Sequence, residues 1–469
     1  MEDTRLTVGT GADEALDRGV IDELRSRLRG DLLRPNDRPY DDARRVFNAA
    51  IDKRPALIAR CAGVADVLTA VRFARGRGLL VAVRGGGHNV AGNALCDGGL
   101  VIDLSRMRAV RVDPARRTAR AEGGVTWGIL DRETQAFGLA TTGGIVPTTG
   151  IAGLTLGGGW GWLARSYGLA CDNLLSADVV TADGRVLTAS EVENADLFWG
   201  IRGGGGNFGI ATSFEYRLHR VGPVVAGLLA FPLDRAGAVL RRYAELTEAA
   251  PDALAAYASL VQLPDPDGRR VLGIRVCCNG SVERGRRSLE ALWDLDPVLD
   301  AVGPTTYPAV QAAGAVRYPV GRFHYWKASF LTTLTDGAIE ALLAQFGVLP
   351  SRLSHLVIEQ LGGAISRTAP AATAYAHRHA RYSLLVVGVG ENRAEYDAAI
   401  PWVRRAWDAM QPFCPSGVYV NYLGREADEA PERIEAAYGP GTYQRLVALK
   451  RAYDPDNFFR VNQNIRPRG

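Results

Sequence analysis

Three groups of residues in this chain are able to do chemistry. The first is Arg84-Gly85-Gly86-Gly87-His88-Asn89, a glycine run that ends in a histidine. Three adjacent glycines remove every Cβ, so the backbone can lie flat against a ligand. Consecutive free N–H groups in such a turn form a pocket for phosphate oxygens, and Arg84 brings a fixed charge suited to bidentate phosphate contact. His88 then sets a nucleophilic nitrogen beside whatever the loop holds. The second group is Tyr419-Val420-Asn421-Tyr422, near the end of the chain. The third is Glu359, in the strand-like run Leu356-Val357-Ile358-Glu359-Gln360-Leu361. Alternation sets Val357, Glu359 and Leu361 on one face, so the carboxyl faces either a bound substrate or solvent. For the glycine loop alone, a tight surface turn with an incidental histidine is the favoured reading, because short motifs give many false hits.

The elements around the loop favour the ligand reading. Leu79-Leu80-Val81-Ala82-Val83 precedes it as a strand, and Pro55–Cys61 reads as another. Between them Val64, Val67, Leu68 and Val71 fall on one helical face that closes near Gly76, completing a β-α-β unit. An earlier helix carries Ile21, Leu24 and Leu28 and stops at Gly30. Past the loop, Gly99–Leu104 is a strand, residues 109–112 and 118–121 form a hairpin, and Trp127, Leu130 and Phe137 mark a helix. Thr141–Gly168 is glycine-dense and keeps no period for long, so it is expected to be mostly ordered loop. A third glycine block, Gly203–Gly209, precedes the alternating strand Ile210–Tyr216. Between these blocks, Val179–Leu187 is a hairpin with an Asp183-Gly184 turn. After about residue 225 glycine thins, and helices such as Ala236–Ala249 alternate with strands such as Arg270–Cys277. The expected division is a ligand-binding unit over 1–225, a second unit over 226–410 and a return over 411–469 that completes the first.

Composition narrows the function. At 469 residues, with 47% hydrophobic and 23% charged residues, the chain is expected to be globular and to hold two cores. A net charge of +4 is too slight for a nucleic-acid surface. No apolar run is long enough to span a bilayer, and the acidic start lacks the apolar core of a signal peptide. The six cysteines contain no CxxC pair, which argues against zinc and thioredoxin-type chemistry and for reduced thiols in the cytoplasm. His324, His355 and His379 have no metal-ligand spacing and are expected to be structural or exposed.

Two dinucleotide-type patterns are decoys. Gly204, Gly206 and Gly209 have the spacing, but a strand follows where a helix is required. Gly159, Gly161 and Ala164 follow loop rather than strand, and Ser166 lacks the first glycine of a nucleophile elbow. Several glycine blocks outside a Rossmann unit point to a large cofactor touched at many places by backbone. In that order, Arg84–Asn89, Cys96–Leu104, Thr141–Gly168, Gly203–Gly209, Tyr419–Tyr422 and Tyr453–Ile465 resemble the berberine bridge enzyme-like family of FAD-linked oxidases. These flavoproteins are of the vanillyl-alcohol-oxidase (PCMH) type, and the resemblance covers nearly the whole chain.

The resemblance implies an α+β fold, with a discontinuous FAD domain and a substrate domain on an antiparallel sheet. It implies FAD bonded through its 8α carbon to His88. The Arg84–Asn89 loop would wrap the pyrophosphate, with further contacts from Gly92, Pro147, Thr148, Gly150, Gly153, Gly158, Gly159, Gly161, Tyr167, Gly209, Ile210, Asn462 and Asn464. Many members add a cysteinyl link within Gly-x-Cys-Pro-Thr. Here that stretch is Gly144-Ile145-Val146-Pro147-Thr148, so Val146 leaves His88 as the single tether, and Cys171 lies outside the motif. Thr149 matches the position that governs oxygen access to the flavin.

One tyrosine of the pair, Tyr422 or Tyr419, is expected to act as base, Tyr422 being otherwise an aromatic anchor. A tyrosine of pKa about 10 needs a nearby cation for that task, and Lys327 and Arg378 are the candidates. The implied reaction takes hydride from a carbon bearing OH or NH of a small molecule, expected to be a hydrophobic or aromatic secondary metabolite, and passes electrons to O2 to give hydrogen peroxide. Oxygen insertion or oxidative rearrangement through a flavin-oxygen adduct is the alternative suggested by Thr149, and flavin binding without turnover is a third. A monomer or homodimer without membrane, nucleic-acid or metal partners is expected.

Overall fold

The structure is a computed structural model that describes residues 4–7, 13–263, 267–316, 318–347, 349–415, 417–424 and 431–467. Near the start lie strands β1 (Asp31–Leu33) and β2 (Leu57–Arg60), helix α1 (Val64–Gly76), and strands β3 (Val81–Arg84) and β4 (Leu100–Asp103). Their runs of Leu, Ile and Val are buried on both faces, as expected of parallel strands covered by a helix. Helix α1 covers the sheet with Val67, Ala70, Val71 and Ala74, which are fully buried. The order is β1-β2-β4-β3, so β4 is inserted between the two strands of the β-α-β unit and runs parallel to both. Arg84 is the last residue of β3, so the glycine run leaves the carboxyl end of a parallel strand, where open α/β sheets bind ligands.

A second, antiparallel sheet is built from β5 (Val110–Asp113), β6 (Thr118–Glu122), β7 (Leu174–Val180), β8 (Val186–Ser190) and β9 (Ile210–Arg217), in the order β8-β7-β9-β6-β5. Both expected hairpins are present, with Gly184 at φ +78° in the Asp-Gly turn. Strand β9 directly follows Gly209, which removes the Rossmann reading of that glycine block. The Trp127 helix ends at Gln135, and Phe137 lies beyond it with 52% of its surface exposed. Thr141–Gly168 is mostly loop, as expected, interrupted by two short helices, Ile151–Leu156 and Ala164–Tyr167. Ile151, Ala152, Thr155 and Leu156 bury one face of the first, too brief a pattern to register as a period.

The third sheet joins β10 (Val224–Pro232), β11 (Leu254–Gln262), β12 (Arg270–Cys278), β13 (Phe323–Leu331), β14 (His355–Gln360) and β15 (Tyr382–Gly390). It runs β10-β12-β11-β14-β15-β13, antiparallel throughout, with two short strands, Leu299–Asp300 and Gly303–Thr305, on the outer side of β10. One face packs against helices Ala236–Ala249, Asp336–Phe346 and Arg393–Met410, in a core made entirely from this part of the chain. The opposite face, bearing Trp326, Phe330, Val357 and Leu385, joins a core shared with Trp127, Trp160, Phe208 and the C-terminal Tyr419.

The final segment packs back onto the first. Lys450, fully buried in helix Pro440–Tyr453, donates to the carbonyls of Asn207 at 2.8 Å and Phe459 at 2.9 Å and pairs with Asp454 at 2.6 Å. Asp454 also accepts the amides of Phe458 and Phe459. All six cysteines are free thiols. No helix among the described residues is long and apolar enough to cross a membrane.

Candidate active site

A long cavity runs between the first two sheets and the inner face of the third. Its walls carry Gly85, Gly86, Gly87, His88 and Asn89 from the first glycine block, Val146, Thr149, Gly150 and Gly153 from the second, and Gly205, Gly206, Gly209 and Ile210 from the third. Asn462 and Gln463 come from the C-terminal return, and Trp160, Tyr318, Trp326, Glu359, Tyr419 and Tyr422 line the remaining walls. Close approach of the blocks requires bare backbone. A Cβ on Gly86 would meet the Gly150 backbone at 2.4 Å, and one on Gly150 would meet the Gly86 nitrogen at 2.5 Å.

His88 stacks on Phe47 with ring centroids 3.9 Å apart, and Phe47 in turn stacks on His324 at 4.3 Å. Burial, with a further push from His324, lowers the His88 pKa to about 3, so the imidazole is neutral and keeps a nucleophilic lone pair. Its Nε2 is buried and has no hydrogen-bond partner within the protein. The Oδ1 atoms of Asn462 and Asn464 are buried and unpartnered in the same way, although Asn464 lies outside the cavity wall. Among the described residues lining the cavity there is no Lys, Arg or Asp.

The polar groups that the glycine blocks and the C-terminal return offer to the cavity thus include backbone amides and the side chains of Asn89, Asn462 and Gln463. Arg84 is not one of them: its Nη1 donates to the Ala43 carbonyl, back towards the N-terminal side. The remaining expected cofactor residues sit behind the wall. Gly92 gives its carbonyl to Lys53 at 2.8 Å. Gly158 and Gly159, at φ +118° and +84°, shape the turn under Tyr375 and Tyr419, and Gly161 packs on the Gly143 carbonyl. The Pro147 carbonyl accepts the Gly128 amide, and Thr148 sits beside it in the turn. Tyr167 departs furthest from expectation, stacking on His219 at 3.9 Å and accepting from Asn279 at 2.7 Å, away from the cavity. Cys171 is fully buried beside Asp172, which together with burial pushes its thiol far up, so it offers no thiolate.

Where the aromatic residues line the cavity, Tyr422 donates to Glu359 Oε1 at 3.1 Å and Oε2 at 3.3 Å, while Trp160 Nε1 donates to Oε2 at 3.2 Å. Burial raises the Glu359 pKa to about 7, opposed in part by the hydroxyl of Ser383 and by the bonds from Tyr422 and Trp160. The Tyr422 hydroxyl is held well above its ordinary value by burial and by the neighbouring carboxylate. Tyr419 differs, since its oxygen accepts from the Gly159 amide at 2.9 Å and from Asn421 Nδ2 at 2.8 Å.

Neither expected cation reaches these phenols. Alternation along β13 turns Lys327 to the face opposite Trp326, where it lies 5.2 Å from the Trp407 ring. Arg378 is held by a bidentate pair with Asp172, both bonds at 2.6 Å. The partner of Tyr422 is a carboxyl group.

Trp160, Trp326 and Tyr318 escaped the sequence reading. Only Trp326 left a signal, through the period-two pattern it shares with Ala328 and Phe330. Among the described residues no three His, Cys, Asp or Glu side chains converge on a metal position.

Comparison with known proteins agrees with this geometry. A family model described as an FAD binding domain matches residues 55–190, and one described as berberine and berberine-like matches 418–466. The chain is 33% identical to the (R)-6-hydroxynicotine oxidase of Paenarthrobacter nicotinovorans, over 94% of this chain and 98% of that protein. It is 30% identical to an FAD-linked oxidoreductase of Dictyostelium discoideum, over 96% of this chain and 97% of its relative. Among solved structures, 6-hydroxy-D-nicotine oxidase from Arthrobacter nicotinovorans superposes with a TM-score of 0.85 at 30% identity, covering 94% of this chain and 98% of that one. A berberine-bridge-like protein of Physcomitrella patens gives 0.85 at 25% identity, over 94% and 97%.

Proposed function

The chain belongs to the berberine bridge enzyme-like family of FAD-linked oxidoreductases, and we propose that it is an oxidase tethered to FAD through His88 alone. Bound FAD supplies a two-electron acceptor that O2 reoxidises, with hydrogen peroxide as the second product. The observation that carries the reading is His88 Nε2, a buried, neutral and unpartnered nitrogen in the wall of the cavity. The glycine blocks would hold the cofactor by backbone amides, with Asn462 supplying an unpaired oxygen. Val146 stands in the wall with no thiol to offer, which supports a single link.

The chain's own part in turnover is positioning and proton handling. Trp160, Trp326 and Tyr318 exclude water and hold an apolar substrate. Glu359, fixed by Tyr422 and Trp160, accepts the proton released from the substrate OH or NH as hydride departs. In this reading Tyr422 orients and tunes the base, and Tyr419 anchors the Gly159 turn. Residues 226–410 form the substrate unit, and 1–225 with 411–469 form the cofactor unit.

The test is flavin fluorescence of the purified protein on a denaturing gel, with peroxide release over a panel of alcohols, amines and sugars. A band that stays dark when native protein is fully loaded with FAD would refute the tether. Thr149 also lines the cavity, which supports oxygen insertion as the second reading. Labelled oxygen appearing in the product would favour it over stoichiometric peroxide.

A further inference from the structure

We infer that Phe47 is a positioning residue for the bond between His88 and FAD, and that the substrate unit supplies the outer half of the clamp in which it sits. The inference rests on the tether reading and adds to it what holds the nucleophile ready.

An imidazole turns easily about the bond to its Cβ, because torsions of this terminal kind have broad wells. A nucleophilic nitrogen reacts fast only when its lone pair is held in line with the carbon it attacks. The plane of the His88 ring must therefore be fixed before any bond exists, and no hydrogen bond to Nε2 from within the protein does so. Phe47 does. Its ring lies over the imidazole with centroids 3.9 Å apart and planes 17° apart. Its backbone amide donates to the Gly87 carbonyl at 3.0 Å, one residue before His88. Ring and main chain thus grip the same loop.

The other face of Phe47 meets the substrate unit. His324, in β13, stacks on it at 4.3 Å with planes 22° apart. Burial lowers the His324 pKa to about 4, so this layer sets no positive charge beside the nucleophile. The Phe47 carbonyl accepts the Gly321 amide at 3.1 Å, and the Ala49 amide donates to the Arg322 carbonyl at 2.9 Å. Asn48, buried between the two units, joins them through its side chain. Its Oδ1 accepts the His324 amide at 2.9 Å, and its Nδ2 donates to the carbonyls of His324 at 3.0 Å and Val90 at 2.8 Å. The short segment 47–49 is a wedge between the His88 loop and the large sheet, with His88, Phe47 and His324 as three stacked layers. Close packing on both faces keeps the middle ring from swinging off His88 while β13 is in place.

Attachment replaces one C–H bond of the 8α carbon by a bond to a His88 nitrogen. The proton of that C–H, the imidazole N–H proton and two electrons pass to the flavin ring, and O2 removes them as hydrogen peroxide. Phe47 exchanges no proton or electron in this step and acts only by holding the imidazole plane.

The test is the rate at which flavin fluorescence becomes acid-stable when the full-length chain, made under riboflavin limitation, is given saturating FAD in air. Phe47→Leu keeps an apolar side chain without the ring and should attach flavin about tenfold or more slowly, while still binding FAD reversibly. Phe47→Tyr keeps the ring and should attach within about threefold of the unaltered rate. His324→Leu removes the outer layer and should slow attachment by about threefold or more. Saturating FAD removes weak binding as a cause of slowing. An unaltered rate in Phe47→Leu, or equal slowing by Leu and Tyr, would overturn the positioning role. An unaltered rate in His324→Leu would overturn the part given to the substrate unit, and this variant decides the question if Phe47→Leu fails to fold. Failure of the tether reading would look different, as an unaltered chain that never gains acid-stable fluorescence.

Discussion

The Tyr422 hydroxyl lies 3.1 Å from Glu359 Oε1, so two groups from sequence-distant segments share one hydrogen-bonded unit. Tyr422 comes from a single turn at the C-terminal return, Glu359 from the middle of the large sheet. Trp160, from the second glycine block, closes the unit on Oε2. The pairing reverses the electrostatics expected of a tyrosine base. A neighbouring carboxylate makes it harder to ionise the phenol, while the phenol's donated bond makes it easier to ionise the carboxyl. Of the two groups, Glu359 is therefore the easier to ionise near neutral pH.

The first prediction concerns pH. Glu359 accepts a proton only when ionised, and its pKa is pushed up to about 7 by burial. In the unaltered enzyme kcat/KM should rise with pH through about 7 and level off above it. Glu359→Gln should lower kcat by about 100-fold or more and remove that limb. Tyr422→Phe removes a bond that favours the ionised carboxyl, so the limb should move to higher pH. Steady-state pH profiles of the three proteins separate these effects. A limb that Glu359→Gln leaves in place would assign the base elsewhere.

The second prediction concerns the tether. His88→Ala should yield protein whose FAD is released on denaturation, leaving a gel band without flavin fluorescence. The native variant should still bind FAD reversibly, because the backbone cradle of Gly85–Gly87, Gly150 and Gly206 remains. Fluorescence persisting on the denatured H88A chain would place the bond on another residue.

Much of the cofactor end was legible in the sequence, and much of the substrate end was not, for a physical reason. A glycine run after an apolar strand is a local pattern, so Gly85–Asn89 could be read directly. Tyr419 and Tyr422 are readable as a short motif, although their partners, Gly159 and Glu359, lie far away in the chain. The enclosure around Glu359 is different: Trp160, Trp326 and Tyr318 belong to three separate stretches that only tertiary packing brings together. Arg378 shows the same limit in the opposite sense. Its charge is taken by Asp172, 206 positions away in the chain, and no local pattern announces that pair. Lys327 was legible in hindsight, because the alternation of Trp326, Ala328 and Phe330 sends it to the other face.

The third prediction concerns Gly86. Alanine there would push its Cβ to 2.4 Å from the Gly150 nitrogen, and that atom is backbone that cannot swing aside. The two glycine loops must separate, and Gly85, Gly87 and Gly150 leave their places in the cavity wall. Gly86→Ala should lose bound flavin, measured as the ratio of visible to ultraviolet absorbance. Far-ultraviolet circular dichroism should change little, because neither loop is regular secondary structure. Full flavin content in this variant would show that the contact does not set the cradle.

The last prediction concerns the buried ion pair that fastens the C-terminal return. Lys450 and Asp454 are both fully buried, 2.6 Å apart, and the ammonium also holds the carbonyls of Asn207 and Phe459. Asn207 lines the cavity and Phe459 borders it, so the pair supports the wall from behind. Lys450→Met removes one partner and leaves a buried carboxylate with two amide donors, a loss of about 3–5 kcal/mol. Asp454→Asn keeps the shape and part of the bonding and should cost less. Thermal unfolding of the two variants should rank them in that order, both below the unaltered protein. Because the same ammonium holds the Asn207 carbonyl, flavin content should fall with stability in Lys450→Met. A Met variant that unfolds at the original temperature with full flavin would mean that the return is held by its apolar contacts, Leu446 and Leu449 against the core, rather than by the ion pair.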